Sequence, residues 1–183
     1  CITHPPLPSS GPAELRPEGP LPAASVEVLV DPWGVPHIRA ESTTDLVFAQ
    51  GVLHAEQRLF QMDMNRRIGA GRLSELFGKR TLQTDRLLRT VGFARAARSA
   101  WDVLPEGERD VLRAYAEGVN AGIDSLEALP PEYRILGAKP EPWEPLDSMI
   151  WIKSMGWLLS ASAGTDALRD ALEAELGEAQ AAW

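Results

Sequence analysis

A chain of 183 residues with 44% apolar content is long enough to bury a core and is expected to fold as one domain. Its formal charge of −8 and the lack of any basic run exclude nucleic acid as a ligand, because that affinity depends on clustered Lys and Arg releasing counterions from phosphates. A membrane-spanning helix is excluded too, since the longest apolar stretch, Met149 to Leu159, is interrupted by Lys153 and Ser154.

In chain order, the first feature is Cys1, the only cysteine, which leaves no intramolecular disulfide and no zinc site of several thiolates. A Cys that opens a Pro- and Ser-rich segment resembles the mature terminus of a bacterial lipoprotein, and an extracytoplasmic or membrane-anchored location is expected from it; a terminus left by processing alone is the equal alternative. Residues 1–22 hold seven of the fifteen prolines and read as an extended tether, with the folded domain over 23–183. That setting argues against Cys1 as a nucleophile, which would have to open a buried strand.

The alternation of Val26, Val28 and Val30 predicts a strand over 25–31, Pro32-Trp33-Gly34 supplies turn chemistry, and Val35 to Ala40 returns to complete a hairpin. Ser42, with Asp45 three residues on, predicts a helix start. The spacing of Leu46, Ala49, Val52, Leu53, Leu59 and Phe60 carries that helix to Gly69 and Gly71. Pro105 and Glu106 open a second helix along Val111, Leu112, Tyr115, Val119 and Ile123, ended by Leu129-Pro130-Pro131. A loop with Pro140, Pro142 and Pro145 surrounds Trp143. Asp147-Ser148 is then expected to cap an apolar helix through Leu159, and a last helix is expected from Thr165 along Leu168, Leu172 and Leu176. The composition is that of an α+β chain, mostly helical with a short β segment.

The charged residues Asp63, Arg66, Arg67 and Glu75 stand at helical spacings, and the expectation is a solvated or subunit-facing helix surface. His37 is expected to be packed beside the turn and His54 to be a polar position on a helix. No Gly-x-Ser-x-Gly elbow exists to join either in a triad.

Six short runs occur in one order: Asp31-Pro32-Trp33-Gly34-Val35-Pro36-His37-Ile38, Ala49-Gln50-Gly51, Arg58-Leu59-Phe60-Gln61-Met62 with Arg66-Arg67, Gly71 to Gly78, Tyr115 to Asn120, and Pro142 to Asp147. Together they resemble the α subunit of the penicillin acylase family over roughly residues 24–182. One departure is Glu56-Gln57, where the family usually has a Gln-Asp or similar pair. The resemblance implies an N-terminal-nucleophile hydrolase cut from one precursor into α and β chains, the two forming an αββα sandwich. The β chain would begin with a catalytic Ser whose own amino group is the base, so no catalytic residue is expected on this chain.

By the same resemblance, Met155 and Leu159 fall on positions lining the acyl pocket, and Leu158 on an arginine position between them. Leu in place of an aromatic ring favours an aliphatic acyl group over phenylacetyl, since a flexible chain needs continuous apolar wall. Loss of the arginine argues against a glutaryl-type group. Thr165-Asp166 falls where the family has an α-chain acid at a structural calcium, with Asp166 the better match; one carboxylate cannot make such a site alone. The implied function is hydrolysis of the amide of an N-acylated small molecule such as a penicillin-type β-lactam, with no organic cofactor. The alternatives are an N-acyl homoserine lactone acylase and a non-catalytic binding subunit of the same fold.

Overall fold

The computed structural model describes residues 13–15, 25–160 and 162–176. Cys1 and most of the Pro-rich stretch lie outside the described residues. Three antiparallel strands form one sheet in the order β1 (Ala13–Leu15), β2 (Val26–Val30), β3 (Pro36–Arg39). Strand β1 belongs to the stretch read as a tether and lies alongside β2, Ala13 opposite Val28. The β2–β3 hairpin sets Val28 opposite Ile38 and Leu29 opposite His37. Side chains alternate between faces, so Val26, Val28 and Ile38 turn inward onto Ala49 and Leu53, and His37 turns out. The expectation of a packed His37 is therefore wrong: its side chain is 59% exposed and meets Asp31 through Nε2 at 3.2 Å.

Asp31 organises the turn. Its Oδ1 accepts the amide hydrogens of Trp33 and Val35, both at 2.9 Å, and Gly34 takes a positive φ that a larger residue resists. The Val35 N–H foremost holds this carboxyl below the usual carboxylate range.

Helix α1 (Thr43–Ala70) starts where the sequence places it, Ser42 Oγ accepting the Asp45 amide at 3.0 Å, and it ends on Gly71 in the left-handed conformation. Arg58 interrupts it with φ −139°, a kink that leaves two helical halves. Helix α5 (Glu106–Ser125) packs along α1 through small residues: a Cβ on Gly51 would meet the Tyr115 carbonyl, and one on Gly118 would overlap the carbonyl of Phe48. Gly69, read as a stop signal, is instead inside α1 and lets Ile150 approach.

Between them lie α2 (Ser74–Phe77), a 3₁₀ turn (Gly78–Thr81), α3 (Leu82–Val91) and α4 (Phe93–Val103), a region for which the sequence reading gave no elements. Asp85 fastens this region by accepting the amides of Leu73 and Ser74 at 2.8 and 2.7 Å. Short α6 (Pro131–Leu136) follows the Pro-Pro pair, and then come α7 (Pro145–Leu159) and α8 (Ser162–Leu176). The cap of α7 differs from expectation. Glu144 is the capping residue and Asp147 sits at the third helical position, each side chain taking the other's backbone amide, while Ser148 receives the Trp143 indole N–H at 3.0 Å. The mostly helical chain with a short sheet agrees with the expected class.

Candidate functional site

The residues that position α7 come from four distant parts of the sequence. Arg66 and Arg67, in the last turns of α1, are each 3% exposed, and Asp63 is 1% exposed between them. Asp63 Oδ1 accepts from Arg66 Nε at 2.8 Å and Arg67 Nε at 3.1 Å, and its Oδ2 accepts the Tyr133 hydroxyl at 3.2 Å. The guanidinium of Arg66 then reaches the carbonyls of Glu141 and Pro142, both at 2.9 Å, and Asp147 at 3.0 Å, with the Trp143 ring 5.2 Å away. Arg67 extends to Glu75 at 2.6 Å, and Arg72 ties Glu75 to Glu141 at 2.7 and 2.8 Å. From the other side, the Asn120 amide both donates to and accepts from the Trp143 backbone, at 3.0 and 2.7 Å.

The expected solvated or subunit-facing surface for Asp63, Arg66 and Arg67 is thus overturned: these charges are buried and fix the 141–147 loop against α1 and α5. Burial opposes the charge on Arg66, and the hydrogen bonds and charges of Asp63 and Asp147 outweigh it, so its pKa rises. Burial and the neighbouring Asp63 charge raise the Tyr133 hydroxyl well above its ordinary value. Hydrogen bonds from Arg72 hold Glu75 and Glu141 below the usual carboxylate range. Spacing along α1 could not reveal this, because the partners of Arg66 lie some 75 residues downstream. The only signal was indirect: arginines, glutamate, asparagine and the Pro-Trp-Glu-Pro run all belong to the family-like motifs.

Two clefts flank α7. One, of about 380 Å³, lies between α1, α5 and α7 and is lined by Val47, His54, Met62, Tyr115 and Trp151; the other, of about 400 Å³, lies between α4, α5 and α7 over Leu104 and Met149. They share Val111, Leu112 and Ile152. His54 Nδ1 stands 2.9 Å from the Tyr115 hydroxyl; desolvation lowers the His54 pKa and pushes Tyr115 up to about 12. His54 is, as expected, a polar position on a helix.

The three residues assigned to an acyl pocket do not line either cleft. Met155 is half-buried, Leu158 is 54% exposed and Leu159 is 77% exposed. They do share a side of α7, because residues three and four apart stand above one another, and Ile152 continues the stripe to the rim of both clefts. Trp157, on the same helical end, packs a tilted ring on Phe93 of α4 at 5.7 Å. Three- and four-residue spacing thus makes an apolar band facing outward.

Asp166 lies near the start of α8, exposed, with its Oδ1 3.9 Å from Arg169. Among the described residues no group of three His, Cys, Asp or Glu side chains is placed to hold a metal ion. Among the described residues Asp166 has no companion acid to complete a calcium site, so a cation there would need its other oxygens from elsewhere.

In this helix-rich α+β chain the motif residues converge on one buried ionic network, and the apolar end of α7 is exposed. The Penicillin amidase family model matches residues 25–183, and the chain belongs to that family. It is 42% identical over 139 residues to penicillin acylase 2 proenzyme of Pseudomonas sp. (strain SE83), covering 76% of this chain and 18% of that protein. To penicillin G acylase of Escherichia coli it is 33% identical, over 73% of this chain and 16% of that protein. An acyl-homoserine lactone acylase QuiP from Pseudomonas syringae pv. tomato is 31% identical over 162 residues, 88% of this chain and 20% of that protein. The chain therefore spans a fifth or less of these relatives. In structure it is similar to a thermostable penicillin G acylase from Alcaligenes faecalis, with a TM-score of 0.69 and 33% identity, covering 85% of this chain and 86% of that one.

Proposed function

We propose that this chain is the α subunit of a heterodimeric acylase that hydrolyses the amide of an N-acylated small molecule. The observation that carries the reading is the outward apolar band of Ile152, Met155, Leu158 and Leu159 on α7, held in place by the buried Asp63–Arg66–Arg67 network of a penicillin amidase family chain. A β chain from the same precursor closes over this band, and together they complete an αββα sandwich. Its N-terminal Ser attacks the amide carbonyl through Oγ while the free α-amino group takes the hydroxyl proton and passes it to the departing amine. Water then releases the acyl group from the Ser ester.

Met155 and Leu159 form one wall of the acyl pocket, with Leu158 at its mouth. Continuous aliphatic wall suits a medium-length alkyl acyl group better than phenylacetyl. Octanoyl and phenylacetyl amides of one amine, compared by kcat/KM on the complete protein, test this: an octanoyl preference is expected, and a clear phenylacetyl preference refutes it. The likeness to an acyl-homoserine lactone acylase over 88% of this chain favours a second reading in which the leaving amine is a homoserine lactone. Offering a β-lactam and a homoserine lactone with the same acyl chain separates the two. A non-catalytic binding subunit is the outcome if the partner chain carries no Ser, Cys or Thr at its first position. Asp166 contributes one ligand to a structural calcium whose remaining ligands lie on β, and the enzyme works outside the cytoplasm; calcium analysis of the dimer and cell fractionation test these two statements.

A further inference from the structure

A third cleft, of about 530 Å³, lies where the end of α1 and the α3–α4 corner meet the start of α7. Four arginines (Arg72, Arg89, Arg95 and Arg98) and two carboxylates (Glu144 and Asp147) line it. The acids are committed: Asp147 accepts from Arg66 at 3.0 Å and from the Glu144 amide at 2.9 Å, and the Glu144 side chain takes the Asp147 amide. Arg72 is committed as well, to Glu75 and Glu141. Arg89 spends its Nε on the Gly71 carbonyl at 2.8 Å. Arg95 and Arg98 have no hydrogen bond or ion pair among the described residues, and both are exposed.

Two glycines with positive φ shape the arginine side of the cleft. A Cβ on Gly71 (φ 66°) would stand 2.7 Å from Arg89 Cγ, and one on Gly92 (φ 86°) would collide with the Arg95 guanidinium. The side chains thus lie flat against backbone at the cleft wall. Ala70, Leu146 and Ile150 add apolar lining to the same cleft. In a chain of net charge −8, two uncommitted guanidiniums beside apolar surface form a local positive site that the overall charge does not predict. It is far too small for a polyanion, so it does not conflict with the exclusion of nucleic acid.

We propose that this cleft binds a small organic oxyanion, with its carboxylate or phosphate held by Arg95 and Arg98 and its apolar body laid against Ala70, Leu146 and Ile150. Guanidinium groups pair with the two oxygens of either anion, and the apolar wall selects against bare inorganic ions. None of the residues that would hold the anion belongs to the α7 band, so the proposal does not rest on the acylase reading. Isothermal titration of the complete protein with phenyl phosphate, benzoate and the neutral analogue phenol tests it. One of the two anions is expected to bind at least about tenfold more tightly than phenol, and which one does so distinguishes phosphate from carboxylate. Arg95→Gln with Arg98→Gln is expected to weaken that anion about tenfold or more while leaving amide hydrolysis and thermal midpoint unchanged, whereas Arg95→Lys with Arg98→Lys retains part of the affinity. The proposal is overturned if neither anion titrates above phenol, or if the double Gln variant binds as tightly as the parent.

Discussion

Asp63 is the side chain whose replacement discriminates most sharply between a structural and an incidental role for the buried charges. Asp63→Asn conserves shape: the amide oxygen still accepts from the Nε atoms of Arg66 and Arg67, and its NH₂ can donate to the Tyr133 hydroxyl that now donates to Oδ2. What disappears is one negative charge between two guanidiniums that are 3% exposed. Removing one partner of a buried pair costs about 3–5 kcal/mol. Here Arg66 keeps Asp147 and Arg67 keeps Glu75, so the lower end, about 3 kcal/mol, is expected. Tyr133→Phe, which removes only one long hydrogen bond to the carboxylate, is expected to cost about 1.5 kcal/mol. Hydrogen exchange of the amides in the last turns of α1, followed in the complete protein, reads both: Asp63→Asn should raise the local opening constant by about a hundredfold and Tyr133→Phe by about tenfold. Opening within about threefold of the parent in Asp63→Asn would show that the remaining acids satisfy both arginines, and the reasoning would fail.

Two further outcomes follow from the same framework. Gly118→Ala places a methyl group into the Phe48 carbonyl and should cost about 1–3 kcal/mol of thermal stability through separation of α1 and α5, whereas Gly107→Ala, with open space around it, should be neutral or slightly stabilising. Glu75 and Glu141 have carboxyls lowered by hydrogen bonds from Arg72, so their contribution to stability is fully present above the ordinary glutamate pKa of about 4.3 and is lost as pH falls through their lower folded values. Carboxyl-carbon NMR titration should find both midpoints moved up toward the ordinary value in Arg72→Gln, and midpoints unchanged by that substitution would contradict the assignment of Arg72 as the cause.

Local signals in the sequence carried the elements whose causes are local. Ser42 with Asp45 begins α1 because a hydroxyl three residues away reaches the free amide, and Gly71 ends it because only a glycine sits easily at φ 66°. The hairpin was legible from valine alternation and the Asp-Pro-Trp-Gly turn. Residues 74–103 were not read, because α2, the 3₁₀ turn, α3 and α4 are short and their order depends on Asp85 receiving amides eleven and twelve residues back in the chain. Gly69 and Gly118 show a related limit: a glycine inside a helix looks like a stop signal or a blemish until the neighbouring helix that needs the space is known.

The same distinction decides how the site should be understood. Charges at three- and four-residue spacing on α1 fit an exposed stripe as well as a buried cluster, and nothing within α1 separates the two; the Glu141 and Pro142 carbonyls and Asp147 do so, by drawing Arg66 inward. Two of the motifs that signalled the family are therefore the two halves of a clamp. One half, Arg66 and Arg67, ends α1, and the other, Pro142 to Asp147, begins α7. Because α7 starts at that clamp and runs fifteen residues outward, the direction in which Met155, Leu158 and Leu159 point is set at its buried end. On the acylase function proposed above, KM for the acyl group should consequently respond to Asp63 and Arg66, even though neither residue touches the band, whereas Leu159 should alter acyl preference without altering the exchange of α1.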